Sequence, residues 1–238
     1  MVKKMKEKNN QTEKLFRIIG ASNHSEEERE ATDFYSTDPD CVLDLLEVET
    51  FGEVILEPAC GSGNISKVLE ENGKTVISTD LYDHGYGKSG VDFFTGYQPT
   101  GELDADIITN PPYGIGSEFI QHALKVVKKG RKVACFMKLT FLEGQDRYAN
   151  LYALNKLETV YVYSKRQSCY KNDDRYQTNT DGTIKMKKGK PVKKGSAVAY
   201  AWFVFRTDYD GYPTIKWITP KEESLIIESQ DLKEADLF

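Results

Sequence analysis

Near the middle of the chain, Asn110-Pro111-Pro112-Tyr113 brings together residue types that can hold a flat, nitrogen-bearing group. Asn110 offers an amide carbonyl as acceptor, and two prolines stiffen the loop, remove two backbone donors and leave carbonyls pointing outward. Tyr113 ends the string with a ring at the loop's exposed edge, suited either to stack on a ligand or to pack on its neighbours. A second string, Glu57-Pro-Ala59-Cys-Gly61-Ser-Gly63, reads as a strand end turning tightly into a helix. Gly61 and Gly63 permit a close backbone approach, and the first N–H groups of the helix point at whatever lies above the strand ends. Plain strand–helix connectors also use such glycine pairs. Glu57 would accept from a cationic amine. Asp80 ends the next strand about 20 residues on, where an acid takes hydrogen bonds from a ribose diol in nucleotide-binding sheets. The third glycine of a dinucleotide fingerprint is replaced by Ile65-Ser66. A nicotinamide cofactor is therefore disfavoured, and an adenosine with an amino-acid tail and no phosphate fits better. Asp92-Phe93 is either an acceptor and a packing ring for adenine or a turn aspartate before core phenylalanines.

These residues need strands and helices to position them, and the chain alternates the two. Short β-rich runs at Val54–Leu56, Thr75–Thr79, Asp106–Thr109, Lys132–Met137, Thr159–Tyr163 and Ala197–Phe205 predict strands, with a further short strand ahead of Val91-Asp92. Helical spacing appears at Asp40–Glu47, Ile65–Glu71, Ser117–Lys128 and Asp146–Lys156, with Asn72-Gly73 and Lys129-Gly130 as stops. Strands alternating with helices predict a mostly parallel sheet covered on both faces.

The composition is that of a soluble globular chain: 238 residues, 39% hydrophobic and 29% charged. The start, MVKKMKEKNNQTEK, has no apolar stretch, so the expectation is a flexible segment over 1–30 rather than a signal peptide. Cys41, Cys60, Cys135 and Cys169 show no CxxC pair, which excludes zinc-site spacing and predicts reduced thiols in a cytoplasmic protein, with no metal. A net charge of −5 argues against indiscriminate coating of nucleic acid. Residues 165–196 stand apart, with a net charge of +7 and almost no aliphatic side chains. Lys171, Arg175, Lys187, Lys188 and Lys190, with the neighbouring lysines 185, 193 and 194 and with Tyr163, Tyr170 and Tyr176 interleaved, suit a phosphate backbone and unstacked bases. A solvated loop is the alternative.

Taken together, the strings resemble the amino-group methyltransferases that carry the NPPY signature, especially the DNA adenine-N6 methyltransferases of bacteria and their phages. The resemblance runs over about residues 33–140, and the alternating strands extend it to Phe205. Tyr35-Ser-Thr37-Asp-Pro39 resembles the family's Tyr-x-Thr-Pro element, with one residue inserted before the proline. The resemblance implies a Rossmann-like class I fold: a seven-stranded, mostly parallel sheet over residues 31–210, with the basic insertion before the last strand and a tail at 211–238. It implies S-adenosylmethionine as cofactor, held by Tyr35, Thr37, Glu57, Ala59, Gly61, Gly63, Asp80, Asp92, Phe93 and Asn110. The implied catalytic residues are Asn110, Pro111, Pro112 and Tyr113. The Asn110 side chain and the Pro111 carbonyl would accept the two hydrogens of an amine, and Tyr113 would stack on a base drawn out of the duplex. A separate recognition domain is missing, so DNA would be met by the insertion. The rivals are the same chemistry on RNA adenine or on a protein glutamine, and a catalytically silent module that binds nucleic acid. The glutamine enzymes usually carry an aspartate-led glycine loop, so the EPACGSG string with a basic insertion leans toward nucleic acid.

Overall fold

A computed structural model describes residues 35–171 and 173–219. The segment 1–30 and the acidic tail from 220 onward lie outside the described residues. Strand β1 (Tyr35–Thr37) leads through Asp38 into helix α1 (Pro39–Val48). Asp38 caps this helix by accepting from the Asp40 N–H at 3.1 Å, and Pro39 takes the first helical position, where no donor is needed. Next come β2 (Val54–Glu57), α2 (Asn64–Glu71), β3 (Thr75–Ser78), the single turn α3 (Phe93–Gly96) and β4 (Asp106–Thr109). Then follow α4 (Gly116–Val126), β5 (Lys132–Lys138), α5 (Gln145–Asn150), β6 (Leu157–Tyr163) and β7 (Cys169–Lys171). A small hairpin, β8 (Met186–Lys187) and β9 (Lys190–Pro191), precedes β10 (Tyr200–Arg206) and β11 (Thr214–Ile218).

The main sheet has the order β11-β6-β10-β5-β4-β2-β3. β3, β2, β4 and β5 run parallel, β11 runs parallel to β6, and β10 is antiparallel to both of its neighbours. This is the expected α/β fold with a seven-stranded, mostly parallel sheet. Alternation along β5 shows why both faces are covered. Val133, Cys135 and Met137 pack with α4 on one face, while Ala134 and Phe136 pack with α1 and α2 on the other. The sheet grows outward from β2 to β3 on one side and from β4 to β5 on the other. Such a reversal leaves a crevice at the carboxyl ends of β2 and β4, where open α/β sheets bind ligands.

Three expectations change. The seventh strand is β11, inside the stretch read as a tail, so β10 is not the last strand. Ile215 and Trp217 of β11 face outward and only Ile218 is buried, which is too weak a pattern to stand out in the sequence. No strand lies between β3 and Asp92; the chain there forms only a bridge between Thr79 and Lys88, and Asp92 caps α3. The helix expected over 146–156 ends at Asn150 and gives way to a 3-10 turn at Tyr152–Leu154. Among the described residues no helix is long and apolar enough to cross a membrane.

The basic segment is folded. β7 pairs with β1, Tyr176 bridges Lys193, Thr178 bridges Ile184, and β8 pairs with β9. Lys188 and Gly189, at φ 50° and 75°, form the tight β8–β9 turn, whose positive dihedrals match strand twist.

Candidate active site

The crevice above β2 and β4 opens into a cavity of about 220 Å³. Residues from four strand ends and loops line it: Ala59 and Gly61 after β2, Asp80 after β3, Asp92 and Phe93 on α3, and Asn110 to Tyr113 after β4. A smaller cleft of about 20 Å³ adjoins it, lined by Tyr35, Thr37, Glu57, Ala59, Gly61, Ser62, Asn64 and Asn110 among others. Asn110, Tyr35, Ala59 and Gly61 face both spaces. Strings spread along the sequence from Tyr35 to Tyr113 thus converge.

The glycine turn is shaped by Asp80. Its Oδ2 accepts from the Gly61 N–H at 2.9 Å and its Oδ1 from the Tyr82 N–H at 2.9 Å. Gly61 has φ 52° and Gly63 has φ 81°, and a Cβ on Gly63 would lie 2.4 Å from the Tyr86 ring. Glu57 sits below this turn, almost fully buried, and accepts from the Ser66 hydroxyl, which also meets Ser78 at 2.6 Å. Burial pushes the Glu57 carboxyl well above the ordinary carboxylate range, against the hydrogen bond from Ser66. Glu57 lines the small cleft and not the main cavity.

On the opposite wall Phe93 packs against Phe119, with ring centroids 4.5 Å apart, and lies edge-on to His122 at 5.0 Å. Asp92 caps the turn before the buried Phe93 and the exposed Phe94, accepting from the Phe94 N–H at 2.8 Å, and it also lines the cavity.

At the end of β4, the Asn110 Nδ2 donates to the Tyr35 carbonyl at 3.0 Å and lies 3.7 Å from the Cys169 sulfur. Its Oδ1 is buried and has no hydrogen-bond partner among the described residues, as is true of Thr37 Oγ1 and Thr109 Oγ1. Tyr113 is not at an exposed edge: its ring is half-buried between Tyr35 (5.8 Å) and Tyr200 (6.2 Å). The Lys138 ammonium lies 5.1 Å over that ring, and the phenol donates to Cys169 Sγ at 3.3 Å. Burial raises both the Tyr113 phenol and the Cys169 thiol, the latter to about 12, so both keep their protons.

The basic segment contributes differently from its sequence reading. Lys187 and Lys188 are exposed near the hairpin turn, as are Lys185 and Lys190. The Lys171 side chain lies outside the described residues. Arg175 is engaged by Asn64 and Asp173. Lys193 pairs with Asp38 and Asp40, and Lys194 with Asp174. Tyr163 and Tyr170 are buried, with hydroxyls on the Cys41 carbonyl and Asp38, so neither meets an unstacked base.

Sequence reading missed Leu81, Tyr82, His84, Ile115 and Phe119 in the cavity wall, and Lys138 and Cys169 beside Asn110 and Tyr113. Ile115 and Phe119 directly follow the NPPY string and were within reach of a helical-face argument. Cys169 lies 59 positions from Asn110, and no local signal joins them.

No protein family and no curated protein matches the chain. Solved structures share part of its architecture. A modification subunit assigned to a type I restriction enzyme from Vibrio vulnificus YJ016 aligns at TM-score 0.48 and 16% identity over 99% of this chain and 58% of that one. The type I restriction enzyme EcoKI M protein aligns at TM-score 0.47 and 14% identity, over 80% of this chain and 49% of that one. An S-adenosylmethionine-dependent O-methyltransferase from Thermotoga maritima aligns at TM-score 0.43 and 16% identity, over 70% and 63%. The chain thus spans about half the length of the two restriction-system subunits.

Proposed function

We propose that the chain is an S-adenosylmethionine-dependent methyltransferase acting on the exocyclic N6 of adenine in DNA. The observation that carries the reading is the buried, unpartnered Oδ1 of Asn110, a residue that the Tyr35 carbonyl orients and that lines both cavities. A buried acceptor without a donor costs about 1–3 kcal/mol, so its place is explained by a donor that arrives with a ligand. An amine bound there gives one hydrogen to Oδ1; by the family resemblance, the Pro111 carbonyl takes the other. With both hydrogens held, the nitrogen lone pair turns out of conjugation with the ring. Proximity and preorganised acceptors then lower the barrier without a strong base. Transfer of the methyl would break its bond to the sulfonium sulfur, leaving a thioether, and the methylated amine would then release one proton to solvent.

The residues present fit the cofactor. Phe93 and Phe119 offer apolar walls for an adenine, and Asp80 and Asp92 offer carboxylates to a ribose diol and an adenine amine. The unpartnered Thr37 hydroxyl suits a carboxylate, and the ammonium of an amino-acid tail would offset the burial that raises Glu57 and favour its ionised form. When bound, the cofactor supplies an electrophilic sulfonium methyl group. The ring of Tyr113 and the exposed lysines of the hairpin support an extruded base and a phosphate backbone as the remaining ligands.

Incubation with methyl-labelled cofactor and separate DNA, RNA and protein pools tests the reading. Label is expected in DNA as N6-methyladenine. Asn110→Ala is expected to lower the rate by at least about 100-fold while the cofactor still binds. Label confined to RNA or protein would overturn the DNA assignment, and a parental rate in Asn110→Ala would remove its role.

A further inference from the structure

The root of the basic segment touches the glycine turn, and the chemistry above does not use that contact. Asp173 reaches back to the residues on either side of Gly63. Its Oδ2 accepts from the Ser62 hydroxyl at 2.5 Å, and its Oδ1 accepts from Asn64 Nδ2 at 2.8 Å. Arg175 closes the group, donating to Asp173 Oδ1 at 3.1 Å and to Asn64 Oδ1 at 2.5 Å. Asp173 holds φ 59°, a left-handed conformation unfavourable for residues with a Cβ and tolerated best by Asp and Asn. Backbone strain at this position aims a carboxylate at two residues more than 100 positions away. Burial pushes the Asp173 carboxyl up, but hydrogen bonds from Ser36, Ser62, Asn64 and Arg175 outweigh it and hold it down at about 2. The group is therefore a carboxylate at any neutral pH.

Ser62 and Asn64 are wall residues of the small cleft. The strand just before Asp173, β7, is hydrogen-bonded to β1, which supplies Thr37 to the same cleft and the Tyr35 carbonyl that orients Asn110. Three sides of the cleft thus depend on residues 169–175.

We infer that Asp173 is a positioning residue for the cofactor loop: by fixing Ser62 and Asn64 it holds the cleft in the shape that takes the amino-acid tail of the cofactor. The inference rests on the S-adenosylmethionine reading. It ties the insertion to the glycine loop, two stretches more than 100 positions apart.

The test is calorimetric titration of the full chain with S-adenosylmethionine, together with rates at varied cofactor and saturating DNA. Asp173→Ala is expected to raise both Kd and KM for the cofactor by about 10-fold, the scale of one charge-assisted hydrogen bond, with kcat unchanged at saturation. Asp173→Asn keeps the shape, but its amide nitrogen cannot accept. The Ser62 hydroxyl can turn to accept from that amide while the remaining oxygen keeps Asn64 and Arg175, so the variant loses only the charge and a smaller rise is expected. Parental affinity in both variants overturns the inference and leaves the function reading standing; so does a fall in kcat with cofactor KM unchanged. If Asp173→Ala does not fold, Asp173→Asn and Ser62→Ala carry the comparison, and parental affinity in both is again fatal. Failure of the parent to bind S-adenosylmethionine would remove the function reading and the inference with it.

Discussion

The sheet beneath the cleft and the basic segment beside it are held in place by different forces. Every residue of β4 is buried, and β10 is buried from Tyr200 to Phe205, with Trp202, Phe203 and Phe205 fully enclosed. In the segment, every residue from 181 to 190 is exposed, and its attachment is polar: β1 to β7, Asp173 to the glycine turn, Lys193 to the buried Asp38. The cleft floor is thus fixed by burial, which scales with area and resists local change. The segment is fixed by a few directional bonds at its root, and its far end is left to solvent. Such a design places buried acceptors under the cleft and an exposed, charged arm beside it.

The contrast is sharpest in stability. Trp202 donates through Nε1 to the Cys41 carbonyl at 3.0 Å and to the Tyr163 hydroxyl at 3.1 Å while filling the sheet–helix interface. Trp202→Ala is expected to cost about 3–5 kcal/mol in denaturant unfolding. A cost below about 1 kcal/mol would erase the distinction between floor and arm.

Smaller effects are expected on the cofactor. Asp80→Ala removes a carboxylate that holds the Gly61 N–H of the glycine turn and the Tyr82 N–H of its own loop and that lines the cavity, so cofactor affinity is expected to fall by about 1–3 kcal/mol. Calorimetry giving parental affinity in the folded variant would take Asp80 out of the site.

The smallest effect on folding belongs to the arm. Joint replacement of Lys185, Lys187, Lys188 and Lys190 by glutamine is expected to change stability by less than about 0.5 kcal/mol. DNA affinity is expected to fall, with a salt dependence flatter by about one counterion for each phosphate no longer neutralised. Parallel salt slopes for parent and variant would mean that these lysines touch no phosphate. Lys193 and Lys194 are left intact, because their partners are carboxylates of the chain itself.

Local rules make much of this legible in the sequence. β4 appears at its expected bounds, and α2 and β3 within one residue of theirs, because runs of β-branched and aliphatic residues end at Asn, Asp or Gly. Asn110, Asp80, Gly61 and Phe93 stand out because each sits at the end of a strand or the start of a helix, where the fold rule places ligands. Glu57 stands out as well, but its orientation does not, since only packing under α2 turns it into the small cleft.

By itself, then, the sequence determined the alternating α/β order, the glycine turn and the NPPY loop, since periodicity and backbone chemistry act over a few residues. Tertiary structure alone decided which strand completes the sheet, which lysines stay exposed and which residues brace Asn110. Those outcomes depend on pairings such as β1 with β7, Asp173 with Ser62 and Cys169 with Asn110, which join positions 59 to 136 residues apart. No local pattern encodes them, because each is selected by the burial and polar satisfaction of the whole chain.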